Sequence, residues 1–245
     1  MSWHPAFAWN KFPAAGIRFA ARQREQHNQN KKQKQDGFHI VSLIEVVVTA
    51  SMVHFGIAMR DKPPFLKGQL LLDGGALQGS FFHHAVVLIC QHDADGAFGL
   101  VLNRASDKTV GDSLVADLPD ALKQSMLFLG GPVQPTALSF LHADNFLADA
   151  NVLPNLGIEH SLDALVDLGE SFSPEKKIKL FTGYAGWSAG QLESEMKSKA
   201  WLTHPASLDL VFDTPPEKIW PAILRQKGGW RNKLLSQSPD DLSWN

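Results

Sequence analysis

Cysteine is almost absent from this 245-residue chain, and its single copy, Cys90, excludes an internal disulfide and any multi-cysteine zinc site. A reducing, cytoplasmic setting is the expectation that follows. Phosphate and cofactor fingerprints are missing too. There is no G-x-x-x-x-G-K-[ST] and no G-x-G-x-x-G, so Gly130-Gly131-Pro132 reads as a tight turn rather than a phosphate loop, and no cofactor is assigned. The histidines never fall into H-E-x-x-H spacing. His83 and His84 are adjacent and face opposite ways on a strand, while His142, His160 and His204 stand apart, so no metal is assigned either. Asp93 and Asp95 lack the other ligands of a calcium loop and read as turn formers.

Positive charge is scarce where a nucleic-acid surface would need it. Lys and Arg number 23 against 25 Asp and Glu. Residues 1–58 carry seven of those cations against three acids, which leaves sixteen against 22, a net charge of −6, for residues 59–245. Phosphate neutralisation dominates non-specific DNA affinity, and no helix-turn-helix, zinc finger or RNA-recognition pattern is visible. Direct DNA contact by residues 59–245 is therefore disfavoured, and a basic N-terminal arm is the one alternative route to it.

That N-terminal part divides in two. Residues 1–37 mix Lys11, Arg18, Arg22, Arg24, Lys31, Lys32 and Lys34 with glutamine and asparagine and have no apolar period, the composition of a disordered segment. Residues 38–59 are apolar and long enough to span a bilayer, but Glu45 within them costs about 2.5–3.5 kcal/mol at a helix centre. The readings are a membrane anchor or uncleaved signal, an organelle presequence, or an over-long gene model whose true start is Met59. The last is favoured, giving an extension at 1–58 and one domain at 59–245.

What is present is clearest around Leu180–Trp201, where an apolar run, three glycines (Gly183, Gly186, Gly190) and an amphipathic stretch read as strand, glycine-rich turn and helix. Gly186-Trp-Ser-Ala-Gly190 matches the G-x-S-x-G nucleophile elbow of α/β-hydrolases. A triad needs an acid and then a histidine after the serine, and only His204 follows. Ser188 with Gln191 three residues later forms a capping box instead. The second nucleophile candidate is Cys90, which shares a strand face with His92; within Val-Leu-Ile-Cys it reads as a small core residue.

Along the chain, Gln69–Leu72 reads as a strand, and Ala85–Gln91 pairs with Ala97–Asn103 as a hairpin turned at Gly96. Thr109 caps a helix reaching Ala116, and Pro119 opens another turn or helix. Strands follow at Met126–Leu129 and Ala137–Leu141, Ser161 caps a helix, and Ser173-Pro174-Glu175 leads into the central strand. Ser207–Phe212 alternates as a strand. Pro215-Pro216 starts a helix carrying Ile219, Trp220, Ile223 and Leu224, stopped by Gly228-Gly229. The order gives a mixed α+β single domain. Asn103-Arg104 closes the hairpin as a polar pair able to bind an anion or partner, or as a turn with a solvated arginine. Trp187, Trp201 and Trp220 line a groove or, more simply, the core.

The blocks Gly68-Gln-Leu-Leu-Leu72, Val87–His92, Gly96–Asn103, Gly130–Val133, Gly183–Met196 and Leu208–Asp213 together resemble the AlgH (YqgE) family, small bacterial proteins often labelled transcriptional regulators. The resemblance covers about Phe65 to the C-terminus. It implies a compact fold whose sheet curls toward a pseudo-barrel with helices packed outside. Members commonly carry Gly or Pro near Ser188 and Ala189, which makes the G-x-S-x-G match incidental. The expectation is a non-enzymatic binding or regulatory module for a protein partner or small ligand, with Asn103, Arg104, Gly130, Gly131, Gly183, Gly186, Trp187 and Gln191 as its working surface. A hydrolase using Ser188 or Cys90 is the alternative.

Overall fold

The computed structural model describes residues 65–144, 147, 150–170 and 177–237. The basic and apolar segments of 1–58, and the Ser173-Pro174-Glu175 stretch, lie outside them. Leu70, Leu71 and Leu72 are fully buried in β1 (Gln69–Asp73), which needs cover on both faces and lies between two strands. β2 (Val86–Asp93) and β3 (Gly96–Val101) form the expected hairpin. Its register jumps from Ile89↔Gly99 to Gln91↔Phe98, so Cys90 is the extra residue of a β-bulge.

A short polar strand, β4 (Ala105–Thr109), follows and runs into α1 (Val110–Ser113), where Thr109 and Asp112 cap each other's backbone N–H groups. Next come α2 (Asp120–Lys123), β5 (Met126–Leu129), β6 (Val133–Ala143), β7 (Leu156–Glu159) and α3 (Leu162–Glu170).

The strand that unites these parts is β8 (Lys177–Ser188). Its first half is held on both edges: Leu180–Thr182 run parallel to β5, and Lys177–Thr182 run antiparallel to β6. Its second half, Ala185–Ser188, leaves those partners and pairs antiparallel with Gly96–Gly99 of β3. The path through the sheet is therefore β4-β5-β8-β3-β2-β1-β9, with β6 and β7 branching from β8. It ends at β4 and β9 (Trp201–Pro205) and is not closed into a barrel. The fold is α+β, as expected.

The glycines of β8 correct the expected turn. Gly183 and Gly186 lie inside the strand, and the turn is confined to Ala189-Gly190 before α4 (Gln191–Lys197). Gly183 sits at φ +67°, where β8 changes partners, and a Cβ there would stand 2.4 Å from the Gly131 carbonyl oxygen. Glycine is required for close approach and for the left-handed backbone, not for reversing the chain.

Ser207–Phe212 is a second correction. Asp209–Asp213 form a π-helical turn rather than a strand. Val211 is fully buried while Asp209, its same-face neighbour in a strand, is exposed; Leu208, Val211 and Phe212 have helical spacing as well. α5 (Pro216–Lys227) buries Ile219, Trp220, Ile223 and Leu224, and α6 (Trp230–Leu235) ends the described chain.

Two apolar clusters are found among the described residues. One joins Leu71, Val87, Ile89, Val101, Trp187, Leu192 and Trp201, the other Val110, Leu122, Leu127, Phe140, Leu165 and Leu180. β8 feeds both, through Ala185 and Trp187 on one side and Leu180 on the other. At about 1.5–3 kcal/mol per large apolar side chain buried, these clusters dominate the stabilising terms.

Candidate functional site

Asp73 ends β1 as a carboxylate with no exposed surface. Its Oδ1 accepts the N–H groups of Gly75, Ala76 and Leu77 at 2.8–3.1 Å, and Oδ2 accepts that of His84 at 2.9 Å. The loop between β1 and β2 is thus wound around one side chain. Trp220 of α5 donates its indole N–H to the Asp73 carbonyl at 3.0 Å and stacks on the His84 ring, which stacks on His83. His83 and His84 precede β2, so they do not point to opposite faces of a strand as expected.

Asn103 and Arg104 grip the same loop from the far end of the hairpin. Asn103 Oδ1 accepts the Val86 N–H and Nδ2 donates to the His84 carbonyl, each at 2.8 Å, while Arg104 Nη2 donates to the His83 carbonyl. Both residues also line a cleft of about 330 Å³ with His84, Met126, Glu217 and Trp220. A second cleft of about 230 Å³ adjoins it, sharing Met126 and Pro216, with Phe128, Lys179, Phe212 and Thr214 in its wall.

The remaining expected site residues do not join them. A Cβ on Gly130 would meet the Gly183 carbonyl oxygen at 2.4 Å, and one on Gly131 would meet the Tyr184 carbonyl carbon at 2.1 Å. Gly130, Gly131 and Gly183 let backbones cross. Gly186 pairs with Phe98 within the sheet. Trp187 is buried and, with Trp201, donates its indole N–H to Glu195 Oε2, both at 2.8 Å. Gln191 donates from Nε2 to the other Glu195 oxygen at 3.0 Å. This network closes the surface around α4 and supports the core reading of the tryptophans.

Among the described residues, neither nucleophile candidate is hydrogen-bonded to a histidine. The Ser188 hydroxyl donates to Gln191 Oε1 at 3.2 Å, and Gln191 Oε1 also takes the Ser188 N–H at 3.1 Å. The expected capping box is half formed: Ser188 caps no helix N–H, because α4 starts at Gln191 with Gly190 as its N-cap. Cys90 donates to the Leu88 carbonyl at 3.7 Å, and burial pushes its thiol pKa far up. The bulge breaks the alternation that would have set Cys90 and His92 side by side. His92 is engaged elsewhere, accepting the Leu66 N–H at Nδ1 and donating from Nε2 to Glu193, both at 2.9 Å. Among the described residues, Ser139 Oγ lies 2.9 Å from His160 Nδ1, but Ser139 is buried; burial holds the His160 pKa below its ordinary value.

Among the described residues, no group of three or more His, Cys, Asp or Glu side chains is placed to hold a metal, and no helix is long and apolar enough to cross a membrane.

Residues 70–232 match the AlgH-like family model. The chain belongs to the AlgH-like family. A UPF0301 protein of Bordetella petrii is 40% identical over 160 residues, 63% of this chain and 76% of its own length. Another, from Pelodictyon phaeoclathratiforme, is 34% identical over 178 residues, 71% of this chain and 92% of its own. AlgH of Pseudomonas aeruginosa, solved in solution, is 32% identical with a TM-score of 0.58, covering 74% of this chain and 98% of that one. A Corynebacterium diphtheriae protein at 21% identity and TM-score 0.58, covering 74% and 94%, shares the fold.

Sequence reasoning missed Asp73, Glu195 and Lys179 in this AlgH-like domain. Asp73 had a readable signal, an acid placed just before Gly74-Gly75, the composition of an Asx turn. Glu195 was legible only as a helix-face acid. Lys179 carried no signal, since a lysine inside an apolar run is read as an edge position.

Proposed function

We propose that this AlgH-like chain is a non-enzymatic regulatory binding module that takes a small ligand or a protein partner in the cleft beside Asn103 and Arg104, in the cytoplasm. The observation that carries the reading is the convergence of those two predicted residues with His84, Met126 and Trp220 around one open cleft, while the other predicted residues are spent on chain crossing and packing. The cleft wall divides about evenly between apolar residues and polar ones, and the convergent polar groups His84, Asn103, Arg104 and Glu217 are of the kind that orient a bound molecule. Two further points favour binding over hydrolysis: Ser188 is bonded to a glutamine, and the Cys90 thiol is held protonated. The net negative charge of residues 59–245 disfavours DNA as the partner.

The test uses wild type, Met126→Arg and Ser188→Ala, screened by thermal shift against carboxylates, phosphate monoesters and nucleotides, with p-nitrophenyl acetate hydrolysis measured in parallel. Met126 is half exposed, so its replacement obstructs the cleft without opening the core. The expected result is a ligand-dependent rise in melting temperature for wild type and Ser188→Ala that Met126→Arg loses. Ester hydrolysis by wild type that disappears in Ser188→Ala would overturn the reading.

A further inference from the structure

Lys179 has a structural duty that its surroundings explain. The π-helical turn Asp209–Asp213 runs into Pro215-Pro216, and neither proline has an N–H to return to the carbonyls of that turn. Lys179 Nζ fills the gap by donating to the Val211 carbonyl at 3.1 Å. One N–H suffices for this, so the duty is met equally by a neutral amine. Apart from Ser125, Asp213 and Thr214, the cleft wall around it is apolar. Lys179 is 8% exposed, its nitrogen lies 4.1 Å from the centre of the Phe128 ring, and no carboxylate is paired with it among the described residues. Asp213 in the same cleft wall is held by Lys177 at 2.8 Å. Burial pulls the Lys179 pKa down to about 8, against the attraction of the Phe128 face for an ammonium.

We propose that Lys179 is a nucleophilic amine for small uncharged aldehydes entering the cleft beside it. Met126, Phe128, Ile178 and Phe212 make that cleft largely apolar, and its volume of about 230 Å³ equals seven to eight waters at ~30 Å³ each. The bond to Val211 fixes one N–H and leaves the nitrogen lone pair for the carbonyl carbon. The nitrogen adds to that carbon as the C=O pair moves onto oxygen and one proton passes from nitrogen to oxygen; the hydroxyl then leaves with the second N–H proton as water, giving R–CH=N–Lys179 and releasing the bond to Val211. One aldehyde and one amine give one imine and one water, with no change of oxidation state. The site adjoins the Asn103–Arg104 cleft through Met126 and Pro216, but Lys179 lines only the second cleft, so the proposal stands whether or not the first binds anything.

At about pH 8 half of the Lys179 population is neutral, whereas a lysine at the ordinary 10.5 is neutral in well under one part in a hundred. The advantage in reactive form is on the order of 10²-fold. The test treats the full chain with limiting propanal and cyanoborohydride across pH 6–10 and maps propyl adducts by peptide mass spectrometry. Lys179 is expected to label tens-fold faster than the exposed Lys108 and Lys197, with a half-rise near pH 8, and to lose that preference in urea. Lys179→Met should remove the fast phase. Labelling of Lys179 no faster than Lys108, a preference that survives in urea, or a fast phase that persists in Lys179→Met would each overturn the proposal.

Discussion

Asp73 offers the most direct test of how the main cleft is held together. Its carboxylate accepts four backbone N–H groups, from Gly75, Ala76, Leu77 and His84. Replacement by alanine strands all four. The His84 N–H is buried, and leaving such a donor unpaired costs roughly 1–3 kcal/mol. The other three lie in a partly exposed loop where water substitutes, so each loses only the net worth of its bond, about 0.5–1.5 kcal/mol. The sum is roughly 2.5–7.5 kcal/mol, a large share of the 5–15 kcal/mol that holds a domain folded. Asp73→Asn is the sharper variant: its carbonyl oxygen still accepts from the loop, but its amide turns N–H toward the His84 N–H, setting donor against donor, for roughly 2–4 kcal/mol. Urea unfolding followed by tryptophan fluorescence reads both, since Trp220 bonds the Asp73 carbonyl and stacks on His84. A loss below about 1 kcal/mol in Asp73→Ala would refute the idea that this side chain organises the loop gripped by Asn103 and Arg104.

Two further outcomes are expected. Gly183→Ala combines a left-handed backbone at φ +67° with a Cβ placed 2.4 Å from the Gly131 oxygen, and should cost at least about 3 kcal/mol in urea unfolding; a loss under 1 kcal/mol would show that the crossing can relax. Lys179 sets a pH slope. Its folded pKa lies below its unfolded one, so between about pH 8 and 10.5 the unfolded chain binds more protons and stability rises with pH, by up to ~3 kcal/mol across the window. Lys179→Met should lack that rise in parallel urea titrations, and equal slopes would refute the burial argument.

Local signals explain what was legible. The β2–β3 hairpin announced itself through a continuous apolar run, a turn of aspartates and Gly96, and α5 through Pro216, four buried positions on one face and Gly228. The elements that escaped are those whose cause lies elsewhere in the fold. β4 reads Ala-Ser-Asp-Lys-Thr, with no apolar alternation, and is a strand because Ala105 and Thr109 find partners on β5. β7 exists through β6, and β9 through β1, more than a hundred residues earlier. The glycines of β8 were misread for the same reason. Glycine serves a turn and a backbone crossing equally well, and only the position of Gly131 distinguishes them. Of the residues expected at the surface site, Asn103 and Arg104 stood out as a polar pair after a buried strand, and they line a cleft. The choice between Ser188 as nucleophile and Ser188 bound to Gln191 rested on whether any histidine comes near, a question of tertiary geometry.

The shared strand also dictates when the molecule can be finished. β8 is made late, after β3, β5 and β6, yet it supplies a pairing edge to all three. β1, formed near the start of the domain, waits for β9 to cover its open side. A nascent chain leaving the ribosome therefore carries two incomplete half-sheets with exposed ladders until residues beyond Pro205 emerge, and these long-range closures are the slow kind. Until that moment its greatest hazard is another unfinished copy of itself.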